Sequence, residues 1–85
     1  MIKMNLQDVI EKIDEKSEDY SIPSRVRNKL KEISADLRNG EQDIAIRVTS
    51  AIYELDDTVN DINLPMHAKT VLWDILSDLE AIKEE

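Results

Sequence analysis

One histidine, one glycine and no cysteine limit the chemistry open to this 85-residue chain. Without cysteine there is no thiolate ligand, no disulfide and no sulfur nucleophile. Phosphate-cradling loops and nucleophile elbows need glycines where the backbone approaches a ligand closely, and Gly40 stands alone. Di-iron sites in helical bundles use Glu-x-x-His sets, and His67 has Leu64 three residues before it. The acids Glu54, Asp56, Asp57 and Asp61 crowd one stretch. They could hold a divalent cation weakly, with Asp57, Asp61 and His67 as the candidate ligands, or face a basic partner. A calcium loop does not fit, because Val59 and Pro65 break the alternation of oxygen ligands and no central glycine is present. The bland use of the same acids is ion pairing with Arg25, Arg27 or Lys69. His67 could make a pH-sensitive contact or simply occupy a polar position. The expectation is a chain with no catalytic residue and no cofactor.

The basic run Arg25, Arg27, Lys29 and Lys31 could form a phosphate-binding strip. At 100° per residue, however, Arg25 and Lys29 fall on one side of a helix and Arg27 and Lys31 on the other. A net charge of −8 also opposes binding to nucleic acid or to an anionic membrane. A nucleic-acid accessory role is therefore a remote alternative. No apolar run approaches the ~18–20 residues that span a bilayer, and residues 1–6 lack the core of a signal peptide. The expectation is a soluble cytoplasmic protein, which the absence of cysteine fits.

Four amphipathic helices must position these residues. Their apolar stripes are Ile2, Leu6, Val9, Ile10 and Ile13; Val26, Leu30, Ile33 and Leu37; Ile44, Val48, Ala51, Ile52, Leu55 and Val59; and Ala68, Val71, Leu72, Ile75, Leu79 and Ile82. Pro23 and Pro65 sit just inside the starts of the second and fourth helices, with Ser21 or Asn63 available as capping oxygens. Gly40 is placed to end the second helix in a left-handed turn.

Some apolar residues lie on the wrong face. Ile46 and Tyr53, two turns apart, are nearly opposite the Val48/Leu55 stripe. Trp73 points roughly 145° from the Ile75/Leu79 stripe and shares its face with Met66, while Leu76 lies between the two faces. These four, Ile46, Tyr53, Met66 and Trp73, are the candidate binding surface for a second subunit or another protein. The alternative is that they are covered within the chain.

A shift of 42 positions aligns the halves of the chain with nine identities in 43 pairs, among them Asp19/Asp61 and Pro23/Pro65. Lys31 and Glu11 stand where Trp73 and Tyr53 stand in the second half. The fold expected is all-α: an up-and-down four-helix bundle of two similar αα-hairpins, residues 1–42 and 43–85, in one domain. Two stacked hairpins of a short solenoid are the alternative.

The run Asp61-Ile62-Asn63-Leu64-Pro65-Met66-His67-Ala68-Lys69-Thr70-Val71-Leu72-Trp73, with Ser77-Asp78-Leu79-Glu80 after it, resembles the end of an archaeal family. That family is uncharacterised protein family 0147. Residues 45–52 and 22–27 are similar to its third helix and its first proline turn. The resemblance implies an archaeal source and a compact helical bundle. It carries no activity and no functional residues. Ile62 stands where the family is expected to carry proline. The function expected is a non-catalytic interaction module that binds an unknown protein partner or itself, as in a homodimer. A small metal or ligand site at the turn between the third and fourth helices is the alternative.

Overall fold

The computed structural model describes residues 5–83 and places four helices among them: α1 (Leu6–Ser17), α2 (Ser24–Arg38), α3 (Ile44–Val59) and α4 (Met66–Lys83). Each helix packs on the next, and α4 closes back on α1. The result is an all-α four-helix bundle. Packing is denser within the pairs α1–α2 and α3–α4 than between them. The extents of 32 × 30 × 21 Å fit two hairpins that cross, since four parallel helices ~8–10 Å apart would leave two short dimensions.

The apolar stripes meet in one core. Val9, Ile13, Leu30, Ile33, Leu37, Leu55, Leu72, Ile75 and Leu79 are fully buried. Ile22 and Leu64, each just before a turn proline, plug the core at the turn end. Four positions depart from the stripes read in the sequence, one of them Ser17, which is buried at the end of α1 with its hydroxyl donating to the Asp14 carbonyl. Ile44 is 46% exposed, because it opens α3 where the bundle ends. Leu76 is buried, so the inner face of α4 is wider than its stripe. Ser34 is also buried, and its hydroxyl is satisfied by the Asp14 carboxylate at 2.5 Å. Ile2 lies outside the described residues.

The helix ends have local causes. Asn5 caps α1 in a reciprocal box: its Oδ1 accepts from the Asp8 N–H at 2.9 Å, and Asp8 accepts from the Asn5 N–H at 3.3 Å. Asp43 caps α3 through the Ala45 N–H. Pro23 occupies the N-cap itself, one residue before its expected place, and no side chain caps α2. Ser21 is drawn away from capping by Asp19, whose Oδ1 accepts from both the N–H and the hydroxyl of Ser21. The second turn repeats this device: Asp61 Oδ1 accepts from the Asn63 N–H. In both turns the aspartate carbonyl also accepts from the N–H three residues on, at Ile22 and at Leu64. The Asp-x-x-x-Pro pattern is thus an Asx turn feeding a helix start.

Gly40 corrects one expectation. No described glycine has positive φ, so α2 does not end in a left-handed turn. Asn39 turns the chain instead, in extended conformation, with its side chain accepting from the Glu41 N–H at 3.0 Å. A Cβ on Gly40 would meet nothing within 4 Å. Gly40→Ala should therefore raise stability by about 0.4–1 kcal/mol by restricting the unfolded chain. Urea denaturation checks this; a loss of stability would show that the site needs glycine after all.

Candidate functional site

The four residues singled out for binding are all exposed: Ile46 by 58%, Tyr53 by 73%, Met66 by 66% and Trp73 by 48%. The cause is helical phase. Each pair is seven residues apart, so its members share one stripe, and that stripe is the side of α3 or α4 turned away from the core. Among the described residues no exposed large hydrophobic lies on α1 or α2; the others are Tyr20, Ile44 and Ile62.

The four do not form one compact cluster. Ile44, Ala45 and Val48 at the start of α3 border Ile82 and Lys83 at the end of α4, so the two helices run antiparallel. Ile46 and Met66 consequently lie near opposite ends of the pair, with Tyr53 and Trp73 between them. Ile46 and Tyr53 frame a shallow groove on α3 of about 520 Å³, floored by Ala45, Thr49 and Ser50 and edged by Glu54. A smaller depression carries Tyr53 across to Glu80 and Lys83 of α4. All the groove's lining residues come from one helix. Such a surface cannot enclose a small molecule, but it can receive a ridge of side chains from another helix.

The alternative ligand trio is not brought together. Asp61 pairs with Arg25 at 2.6 Å, and His67 Nε2 lies 2.9 Å from the Ser21 hydroxyl of the other turn. Among the described residues no three acidic or histidine side chains are placed to share a metal ion. The His67–Ser21 contact was not legible in the sequence, since it joins residues 46 apart. The only signal was that the two turns of successive hairpins share one end of the bundle.

Asp19, Ser21 and His67 have the residue types of a hydrolase triad in the wrong order. The hydroxyl sits between carboxylate and imidazole. Serine has one hydroxyl proton, and an ionised Asp19 at 2.7 Å requires it. Nε2 must then donate to Oγ, which leaves no base to activate the serine.

The basic run divides as its spacing requires. Arg25 and Lys29 face α3, reaching Asp61 and, at 3.9 Å, Glu54. Lys31 reaches Glu18 at 4.0 Å, and Arg27 stacks over the Tyr20 ring at 4.5 Å while donating to the Ile22 carbonyl. Arg27 therefore binds an aromatic face and not one of the crowded acids.

Two carboxyls are held below their ordinary range. Burial pushes Asp14 upward, but hydrogen bonds from Ser34 and Arg38 outweigh it. Asp19 is lowered first by the Ser21 hydroxyl and then by the Ser21 N–H. A lowered folded-state pKa stabilises fully above the unfolded value, and that contribution is lost as pH falls through the folded value. Stability should thus decline below about pH 4. The decline should be smaller in Asp14→Asn, followed by urea denaturation across pH; an unchanged acid limb would remove Asp14 from the account.

The model of an uncharacterised protein family, UPF0147, matches residues 2–82. The chain belongs to UPF0147. A UPF0147 protein of Archaeoglobus fulgidus is 36% identical over 85 residues, covering 100% of this chain and 97% of the relative. One from Methanothermobacter thermautotrophicus is 42% identical over 67 residues, covering 79% of this chain and 66% of the relative. The crystal structure of a UPF0147 protein from Thermoplasma acidophilum matches with a TM-score of 0.84 and 33% identity, over 89% of each chain. A crystallised protein of unknown function matches with a TM-score of 0.81 and 32% identity, over 94% of this chain and 96% of its own. The UPF0147 relatives are archaeal. Among the described residues no helix is long and apolar enough to cross a membrane.

Proposed function

We propose that this UPF0147 protein is a non-catalytic interaction module that docks another chain on the outer faces of α3 and α4. One observation carries the reading. Exposed large apolar side chains stand on the outer stripes of α3 and α4, whereas α1 and α2 carry none. A helix that is apolar on both faces is normally covered on both. Exposed tyrosine and tryptophan are typical anchors of such contacts. The triad-like cluster with no available base is consistent with a module that runs no reaction.

The test is site-specific photocrosslinking in cells, with p-benzoylphenylalanine placed at Tyr53, Trp73, Glu15 and Asp36 in turn. Discrete adducts from positions 53 and 73, and none from the outer faces of α1 and α2, are expected. Adducts that form equally from all four positions, or from none, would refute the proposal.

A further inference from the structure

We infer that the α3 groove receives an amphipathic helix of another protein that carries basic residues at both ends. This rests on the docking reading above and names the chemistry of the partner. Asp43, Ile46, Ser50, Tyr53 and Asp57 follow one another at steps of three and four residues, the rhythm of a helix–helix seam. All five are exposed. The small residues Ala45, Thr49 and Ser50 leave room between Ile46 and Tyr53 for a ridge of partner side chains. The seam therefore has an apolar centre and an acid at each end.

Among the described residues neither aspartate makes an ion pair: Asp43 accepts from the Ala45 N–H as the α3 cap, and Asp57 borders a depression whose cations, Arg25 and Lys29, reach Asp61 and Glu54 instead. Arg47, a neighbouring cation, donates to the Gln42 carbonyl at 3.0 Å and to the Leu37 carbonyl at 2.6 Å. At the groove's edge, one carboxylate oxygen of Glu54 is buried without a hydrogen-bond partner, and Lys29 stays 3.9 Å from the other.

A second copy of the chain does not fit. Antiparallel pairing about Ser50 would lay Asp43 of each copy against Asp57 of the other. Parallel pairing would lay each aspartate against itself. Both pairings along the seam oppose like charges, on a molecule of net charge −8. A partner helix with lysine or arginine beyond each end of its apolar ridge meets opposite charge at both ends. Asp43 and Asp57 lie about 21 Å apart along the helix, so the partner helix needs roughly 14 residues or more.

The experiment titrates the isotopically labelled protein with two helical peptides of about 18 residues, identical except that one has Lys and the other Glu at both ends. Amide shifts at Ile46, Thr49, Ser50 and Tyr53 with the Lys peptide are expected, and none with the Glu peptide. Asp43→Asn with Asp57→Lys, which keeps the α3 cap, should weaken the Lys peptide by about tenfold or more at low salt. Asp36→Lys with Glu32→Gln makes a similar change on α2 and should weaken it far less. Equal response to both peptides, or to neither, overturns the inference. So does a dimer of the protein alone that Tyr53→Ser dissociates, although that result would leave the docking face standing. Crosslinks from position 53 decide the docking reading separately.

Discussion

Leu72→Ala should lower the unfolding free energy by about 3 kcal/mol, the typical cost of emptying a fully buried leucine site. Leu72 has no exposed surface and lies in the core cluster with Leu30, Leu55 and Ile75. A domain of this size has only about 4–13 kcal/mol to lose, so the variant would sit close to its limit. The denaturation midpoint should fall while the slope stays the same, because the same surface is exposed on unfolding. The next residue supplies the control. Trp73 is larger, yet 48% exposed, and Trp73→Ala should cost less than about 1 kcal/mol. If Trp73→Ala were as damaging as Leu72→Ala, the tryptophan would belong to the core and the docking reading would fail.

Lys12→Met should cost about 1–2 kcal/mol at neutral pH. Lys12 lies on α1 and reaches two carboxylates of α4, Asp74 at 2.8 Å and Asp78 at 2.6 Å. Methionine keeps the packing of the stem and removes the charge. It then leaves two carboxylates facing α1 with no cation between them. Hydrogen bonds to Asp74 and then Asp78 raise the Lys12 pKa against the opposing effect of burial. A raised folded-state pKa stabilises fully below the unfolded value, and that contribution is lost as pH rises through the folded one. The gap between parent and variant should therefore narrow above about pH 10.4, and should also shrink in high salt. A gap that ignores both pH and salt would mean that Lys12 acts through packing alone.

The helices were legible because their burial follows a 3.6-residue period. The stripes of α2 and α4 in the sequence are the buried faces of the structure, with Leu76 and Ser34 added and Ile82 only partly buried. The two additions show the limit of the pattern. A serine inside a core face looks like an error until Asp14, twenty residues away, supplies its partner. The candidate surface was legible residue by residue, because 100° stepping shows which side chains point outward. Its layout was not, since axial position depends on how α3 and α4 run past one another. That arrangement separates Ile46 from Met66. The His67–Ser21 contact depended on the relative placement of two turns, which no local spacing encodes. The Gly40 expectation failed because the neighbouring asparagine turned the chain without positive φ.

The closure of α4 on α1 has a topological consequence. The Ser21–His67 contact joins the end of α1 to the start of α4, so these helices run antiparallel and the start of α1 lies with the end of α4 at the other end of the bundle. The connection between α2 and α3 lies at that same end. The ring of helix contacts therefore has no privileged starting point. Opening the chain at Gly40 and joining the outer ends with a short linker would give the order α3, α4, α1, α2 with every interhelical contact retained. The molecule's shape belongs to the cycle of four helices, and the order in which a ribosome reads them is one of the four that the ring allows.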